Sequence, residues 1–181
     1  MLWDRAQSLD VPLYLHPSNG VDVADVLSGH PELIGPMWSW GIDTSSHVLR
    51  LIFGGVFDRF PTAKLLVGHM GEGLPYALWR LDSRWDFHHH HGVELSLGHP
   101  SAYLRRNLWV TTGGVCDVPP LRCAIDALGA DRVLFATDYP FESIPVATEF
   151  LRSARIFEAE REMISHANAE QLLQIDPVPV G

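Results

Sequence analysis

Three side chains in this sequence have the type and placement that chemistry needs: His16, His69 and Asp138. Each follows a short apolar run, respectively Val11–Leu15 (VPLYL), Leu65–Val67 and Val133–Ala136 (VLFA). Runs of this kind are buried strands of a parallel sheet, whose carboxyl ends all lie along one edge. The three side chains can therefore converge. Two imidazoles and a carboxylate on neighbouring strand ends suit a divalent zinc or manganese ion. The same residue types also serve as hydrogen-bond partners at strand ends, so spacing alone leaves both readings open.

The stretch Lys64–Arg80, KLLVGHMGEGLPYALWR, shows the arrangement most fully. Its strand breaks at Gly68, presents His69, and turns through Gly71 and Gly73 before Pro75 opens an amphipathic helix. A titratable group at a strand's carboxyl end, in a Gly-rich turn before a helix, is where α/β proteins place their sites. A fourth strand, Leu108–Thr112, ends without a ligand-type residue, in Thr111-Thr112-Gly113-Gly114.

The elements that must position these groups alternate. A helix end over Met1–Leu9 precedes the first strand, and Pro17-Ser18-Asn19-Gly20 is a turn signal after His16. Val21–Gly41 reads as a long loop, with Trp38–Gly41 (WSWG) either a pocket wall or an apolar plug. Asp43, Thr44 or Ser45 would cap a helix over Ser46–Phe57. Further helices are expected over Leu74–Phe87, Pro100–Asn107, Pro119–Leu128 with Gly129 past its end, Ile144–Arg155 and Glu158–Leu173. His88–His91 reads as part of a solvated loop, and Asp176–Gly181 as a frayed tail. Four strands alternating with helices imply a parallel sheet with right-handed crossovers.

The chain has 181 residues and a net charge of −9. That is enough for one domain with a sizeable core, and its sign argues against nucleic acid or an anionic membrane as a partner. No apolar run has the length of a membrane span, and the first residues lack a signal-peptide pattern, so a cytoplasmic protein is expected. Two cysteines, Cys116 and Cys123, make no disulfide framework and are expected to be reduced. Six tryptophans suggest an aromatic core or an aromatic-lined pocket.

The strings LYLHPSNG, HVLRLIFGGVFDRFPTAKLLVGHMGEGLPYALWRLDSRW and GADRVLFATDYPFES resemble the amidohydrolase superfamily. The nearest branch contains γ-resorcylate decarboxylase and aminocarboxymuconate-semialdehyde decarboxylase. This resemblance implies a metal-dependent (β/α)₈ barrel, of which the chain looks like the carboxyl-terminal half, a single domain over residues 1–181. His16 falls on the metal-binding histidine after the fifth strand, His69 on the active-site histidine after the sixth, and Asp138 on the metal-binding aspartate after the eighth. Glu72 matches the carboxylate partnering that sixth-strand histidine. Arg80 matches an arginine associated with the active site, expected to brace it more than to touch substrate, and Phe141 a pocket aromatic; both are counted as substrate-binding. The family's first-strand E-x-H or H-x-H motif does not occur before His16, so the first four strands are expected to be missing, as in a truncated gene model or a fragment.

What the resemblance implies for function is non-oxidative decarboxylation of a hydroxylated aromatic or related unsaturated carboxylic acid, with one divalent zinc or manganese ion. Asp138, His69 and Glu72 would be catalytic, and His16 and Asp138 metal-binding. The partner implied is a small carboxylic acid, and by analogy a homo-oligomer. The alternatives are a lactonase-like metal-dependent hydrolase of the same superfamily and an inactive half-barrel.

Overall fold

The computed structural model describes residues 2–18, 27–87 and 92–176. The expected turn at Asn19-Gly20, the start of the Val21–Gly41 loop, the His88–His91 run and the tail beyond Asp176 lie outside the described residues.

Four strands form one sheet: β1 (Pro12–Leu15), β2 (Lys64–Val67), β3 (Leu108–Thr111) and β4 (Val133–Leu134). They lie in sequence order, and every neighbouring pair is parallel. The register aligns Tyr14 with Leu66 and Leu66 with Trp109, which places the strands' carboxyl ends, with His16, Gly68 and Thr112 just beyond them, along one edge. The preceding helices are α1 (Leu2–Ser8), α2 (Ser39–Phe53) and α3 (Val56–Arg59). Between and after the other strands come α4 (Leu74–Phe87), α5 (Pro100–Asn107), α6 (Val118–Leu128) and α7 (Ile144–Ser153). The chain closes with α8 (Glu158–Glu162), a π turn at Met163–Ala167, and α9 (Asn168–Leu173).

Period-2 alternation along the strands divides the core. Leu65, Val67, Leu108, Val110 and Val133 point into the large cluster, among helix residues such as Val48, Ile52, Leu78, Leu104 and Leu121. Leu66 and Leu134 point to the other face, where Trp109 joins them and Leu172 and Ala169 of α9 pack over them. Arg132 stacks its guanidinium 4.2 Å from the Trp109 ring, a cation–π contact on the same side. At the far end, Gln174 donates from its side-chain amide to the carbonyl of Asp10, just ahead of β1, at 3.0 Å. The C-terminal segment thereby reaches across from β4 to β1.

Several expected boundaries change. The second helix begins at Ser39, not Ser46, so the expected caps Asp43, Thr44 and Ser45 lie inside it. Thr44, Val48 and Ile52 are all buried at four-residue spacing, a stripe that begins ahead of Ser46, and the helix starts about two turns earlier than expected. The same helix stops at Phe53, and a separate turn over Val56–Arg59 follows Gly55, whose φ of 72° ends the right-handed path. Strand β4 pairs over two residues rather than four, because the next amide, that of Phe135, donates to the carbonyl of Ile164 at 2.8 Å. That carbonyl belongs to the π turn, which replaces regular helix inside the expected Glu158–Leu173. Among the described residues no helix is long and apolar enough to cross a membrane.

Candidate active site at the strand ends

His69 leaves β2 through Gly68 into a single 3₁₀ turn, His69–Gly71. Three residues on, Glu72 folds back so that its Oε1 lies 2.6 Å from His69 Nδ1. An ionised carboxylate only accepts, so Nδ1 carries the proton and Nε2 faces the other way. It faces Asp138, whose Oδ2 is 3.7 Å from Nε2. The hydrogen bond that His69 donates to Glu72 raises the His69 pKa above its ordinary 6.5. Burial pulls the other way, and the charges of Glu72 and Asp138 add to the rise.

The backbone at this place is held in an uncommon shape. His69, Glu72 and Asp138 have φ of 51°, 53° and 62°, in the left-handed region that costs a non-glycine residue roughly 1–3 kcal/mol. Met70, between the first two, has φ of 54°. Such strain persists only where surrounding structure over-determines it, and here it falls on all three ionisable groups.

Glycines make room for them. A Cβ on Gly114, which has φ +75°, would stand 2.5 Å from His69 Cδ2 and 3.2 Å from Asp138 Oδ2. On the opposite side, a Cβ on Gly41 would lie 3.0 Å from Glu72 Oε2. The signal in the sequence was the Gly113-Gly114 pair after β3, which drew no functional reading there.

His69, Glu72 and Asp138 line a cleft of about 440 Å³. Its other wall is Pro36, Met37, Trp38, Trp40 and Ile42, so the WSWG segment forms a pocket wall. Glu142 also lines it, a residue not singled out from the sequence. The cleft thus carries three carboxylates and, among the described residues lining it, no lysine or arginine. On the far side of His69 lies a second hollow, lined by Tyr76, Val115, Pro119, Pro120 and Cys123. Cys116 and Cys123 are free thiols, and burial pushes both up in pKa.

His16 stands at the end of β1 with its ring centre 6.4 Å from those of His69 and of Trp40. Its Nδ1 is 2.8 Å from the carbonyl oxygen of Pro17, which assigns the proton to Nδ1 and leaves Nε2 as the ligand-type nitrogen. Arg80 and Phe141, expected against substrate, lie outside the cleft. Arg80 is well inside α4 on its solvent side, along with the exposed Tyr76 and Trp79. Phe141 points outward from the turn after Asp138 and is 85 % exposed. A match in sequence places a residue on an element but does not say which way its side chain faces.

An imidazole and a carboxylate are the donor chemistry that zinc and manganese accept. A cleft with three carboxylates also leaves an anionic substrate uncompensated unless a cation is present. The donors therefore fit in kind. They do not suffice in number: among the described residues no group of three histidine, cysteine, aspartate or glutamate side chains is placed to hold an ion.

Parallel strands in sequence order, helices between them and ionisable groups at the carboxyl ends define half of an α/β barrel with its site at the usual face. The chain belongs to the amidohydrolase family, whose sequence model matches residues 1–175. It is 40 % identical over 180 residues to a γ-resorcylate decarboxylase of Polaromonas sp. (strain JS666), covering 96 % of this chain and 54 % of that protein. A 2,6-dihydroxybenzoate decarboxylase crystallised with 2,6-dihydroxybenzoate superposes with a TM-score of 0.87 at 38 % identity, over 97 % of this chain and 54 % of the other. A dihydroxybenzoic acid decarboxylase from Polaromonas sp. JS666, with bound manganese and the inhibitor 2-nitroresorcinol, gives 0.86 at 40 % identity, over 97 % and 53 %. The chain spans about half the length of the relatives it matches.

Proposed function

We propose that the barrel to which these residues belong catalyses non-oxidative decarboxylation of a hydroxylated aromatic carboxylic acid. The observation that carries the reading is the Glu72–His69 hydrogen bond, with Asp138 3.7 Å from the imidazole's other nitrogen, held by strained backbone at the edge of an aromatic-walled cleft. Its likeness to decarboxylases of dihydroxybenzoates supports the substrate class.

In this reading the tryptophan wall receives the flat ring of the substrate, and the carboxyl end of the sheet receives its carboxylate. His16 and Asp138 would hold a divalent ion, zinc or manganese, only together with donors that these residues do not include, and such an ion would supply the positive charge that the acidic cleft lacks. Asp138 passes a proton, taken up through His69 or from solvent, to the ring carbon bearing the carboxylate. The new C–H bond forms there, the C–C bond breaks with its electron pair restoring the aromatic ring, and CO₂ departs. Asp138 is then reprotonated from solvent. Glu72 holds His69 in one tautomer, with Nε2 toward Asp138, so that His69 orients the substrate or relays the returning proton.

The test is an assay of the manganese-supplemented protein with 2,6-dihydroxybenzoate, following CO₂, and in parallel with simple lactones, following acid. CO₂ release supports the proposal. Acid from lactones without CO₂ from the benzoate replaces it with a hydrolase, and neither product from a folded protein leaves the inactive half-barrel.

A further inference from the structure

Of the segment Thr112-Gly113-Gly114 only Gly114 has a part in the site as drawn so far, yet the segment meets the chain around Asp138 at successive points. Regular pairing of β3 with β4 ends where the Thr112 amide donates to the Leu134 carbonyl at 2.9 Å. At the next pairing position a side chain takes the place of backbone. The Thr112 hydroxyl donates to the Ala136 carbonyl at 2.9 Å and accepts from the Ala136 amide at 3.0 Å. One hydroxyl thus satisfies both polar groups of a residue two positions before Asp138. Between them Phe135 is drawn away, its amide bonded to Ile164 in the π turn.

The geometric effect follows from the length of a side chain. A backbone ladder would carry residues 135–138 straight on beside β3. Interposing the threonine side chain holds Ala136 farther from β3, and the chain bends there into the left-handed Asp138. The chain then returns beside Gly113, where a Cβ would stand at ordinary contact, 3.4 Å from the Asp138 amide nitrogen and 3.5 Å from its Cβ. Thr112 itself is 1 % exposed, so its hydroxyl has no water to exchange for these partners.

We propose that Thr112 is a positioning residue for Asp138, its hydroxyl bridging the end of β3 to Ala136 and so setting the aspartate's approach to His69. The inference rests on the decarboxylase reading for its consequence in turnover, but not for its geometry.

Thr112→Val keeps the shape and removes the hydroxyl; Thr112→Ser keeps the hydroxyl and removes the methyl. Crystal structures and amide hydrogen exchange of the full chain and both variants decide the question, with Tyr103→Phe as a destabilised control remote from the site. In Thr112→Val the His69 Nε2 to Asp138 Oδ2 separation should change while the His69–Glu72 hydrogen bond stays. The Ala136 amide should exchange about tenfold faster or more, as for a lost buried hydrogen bond. Thr112→Ser should restore both, and Tyr103→Phe should move neither. Where the intact enzyme turns over, Thr112→Val should lower kcat about tenfold with KM nearly unchanged. Asp138 unmoved in Thr112→Val overturns the proposal. Should Thr112→Val fail to fold, Thr112→Ser decides alone, and loss of Ala136 protection or of the Asp138 position there overturns it. A wild-type protein without turnover overturns the decarboxylase reading and leaves the positional readouts standing.

Discussion

Glu72 Oε1 lies 2.6 Å from His69 Nδ1, across a turn in which both residues have left-handed backbone. The carboxylate reaches back because the chain reverses at Gly71 and Gly73, both at positive φ. A regular helix starting at His69 would also place residue 72 near it, but would align the pair along the helix side, away from the sheet edge. The strained turn aims the imidazole over the carboxyl end of β2 and toward Asp138.

The pair has a pH signature. Glu72→Gln should lower the His69 pKa, read from its ring proton shifts in the metal-free chain, since the Glu72 hydrogen bond is the largest cause of the rise. The sign for stability follows. A histidine raised above its unfolded value of about 6.5 contributes most below that pH and loses its contribution as pH rises through the folded value. Urea unfolding should therefore show a wild-type advantage over Glu72→Gln that shrinks from pH about 6 to pH about 9. An advantage growing with pH would contradict the assignment.

Gly114→Ala should disturb the site more than its size suggests. The new Cβ would meet His69 Cδ2 at 2.5 Å on a backbone of φ +75°. Strain and displacement together should cost about 1–3 kcal/mol, measured by urea denaturation, and should lower any turnover. Wild-type stability in this variant would mean that the His69 ring is free to move aside.

Asp138→Asn removes the proposed proton donor and substitutes a weaker ligand. In the manganese-supplemented enzyme it should abolish CO₂ release while leaving the fold intact by circular dichroism. Retained CO₂ release would assign the proton to another group.

Tyr103→Phe tests the scaffold apart from the site. The fully buried Tyr103 hydroxyl donates to Asp58 at 2.5 Å and accepts from the Leu97 amide at 3.0 Å. Its removal loses two hydrogen bonds whose partners, the half-buried Asp58 and the exposed Leu97, can turn to water, a cost of about 0.5–1.5 kcal/mol. Thermal unfolding should register the loss with His69 and Asp138 unmoved.

Much of this was legible in the residues. Helices α4 and α5 fall where apolar spacing and the prolines at their starts put them, because both signals are local and uncontested. The start of α2 is not legible locally, because Asp43, Thr44 and Ser45 offer good caps, whereas burial of the Thr44 stripe, a tertiary effect, carries the helix past them. His16, His69 and Asp138 stood out as polar residues ending apolar runs, and the sheet does bring them to one edge. Arg80 and Phe141 were picked by likeness of motif, and their outward directions depend on how their elements are rotated against the sheet.

By itself the sequence determined which elements form, their parallel alternation and which ionisable groups stand at the strand ends, since these follow from periodicity, glycine and proline acting over a few residues. Only the tertiary structure decided the left-handed turn by which Glu72 reaches His69, that Gly114 is the space into which His69 and Asp138 fit, and that a threonine hydroxyl rather than backbone carries β3 to Ala136. Those are distances between residues remote in the chain or reversed by strained turns. They are set when the whole sheet packs, and no local pattern encodes them.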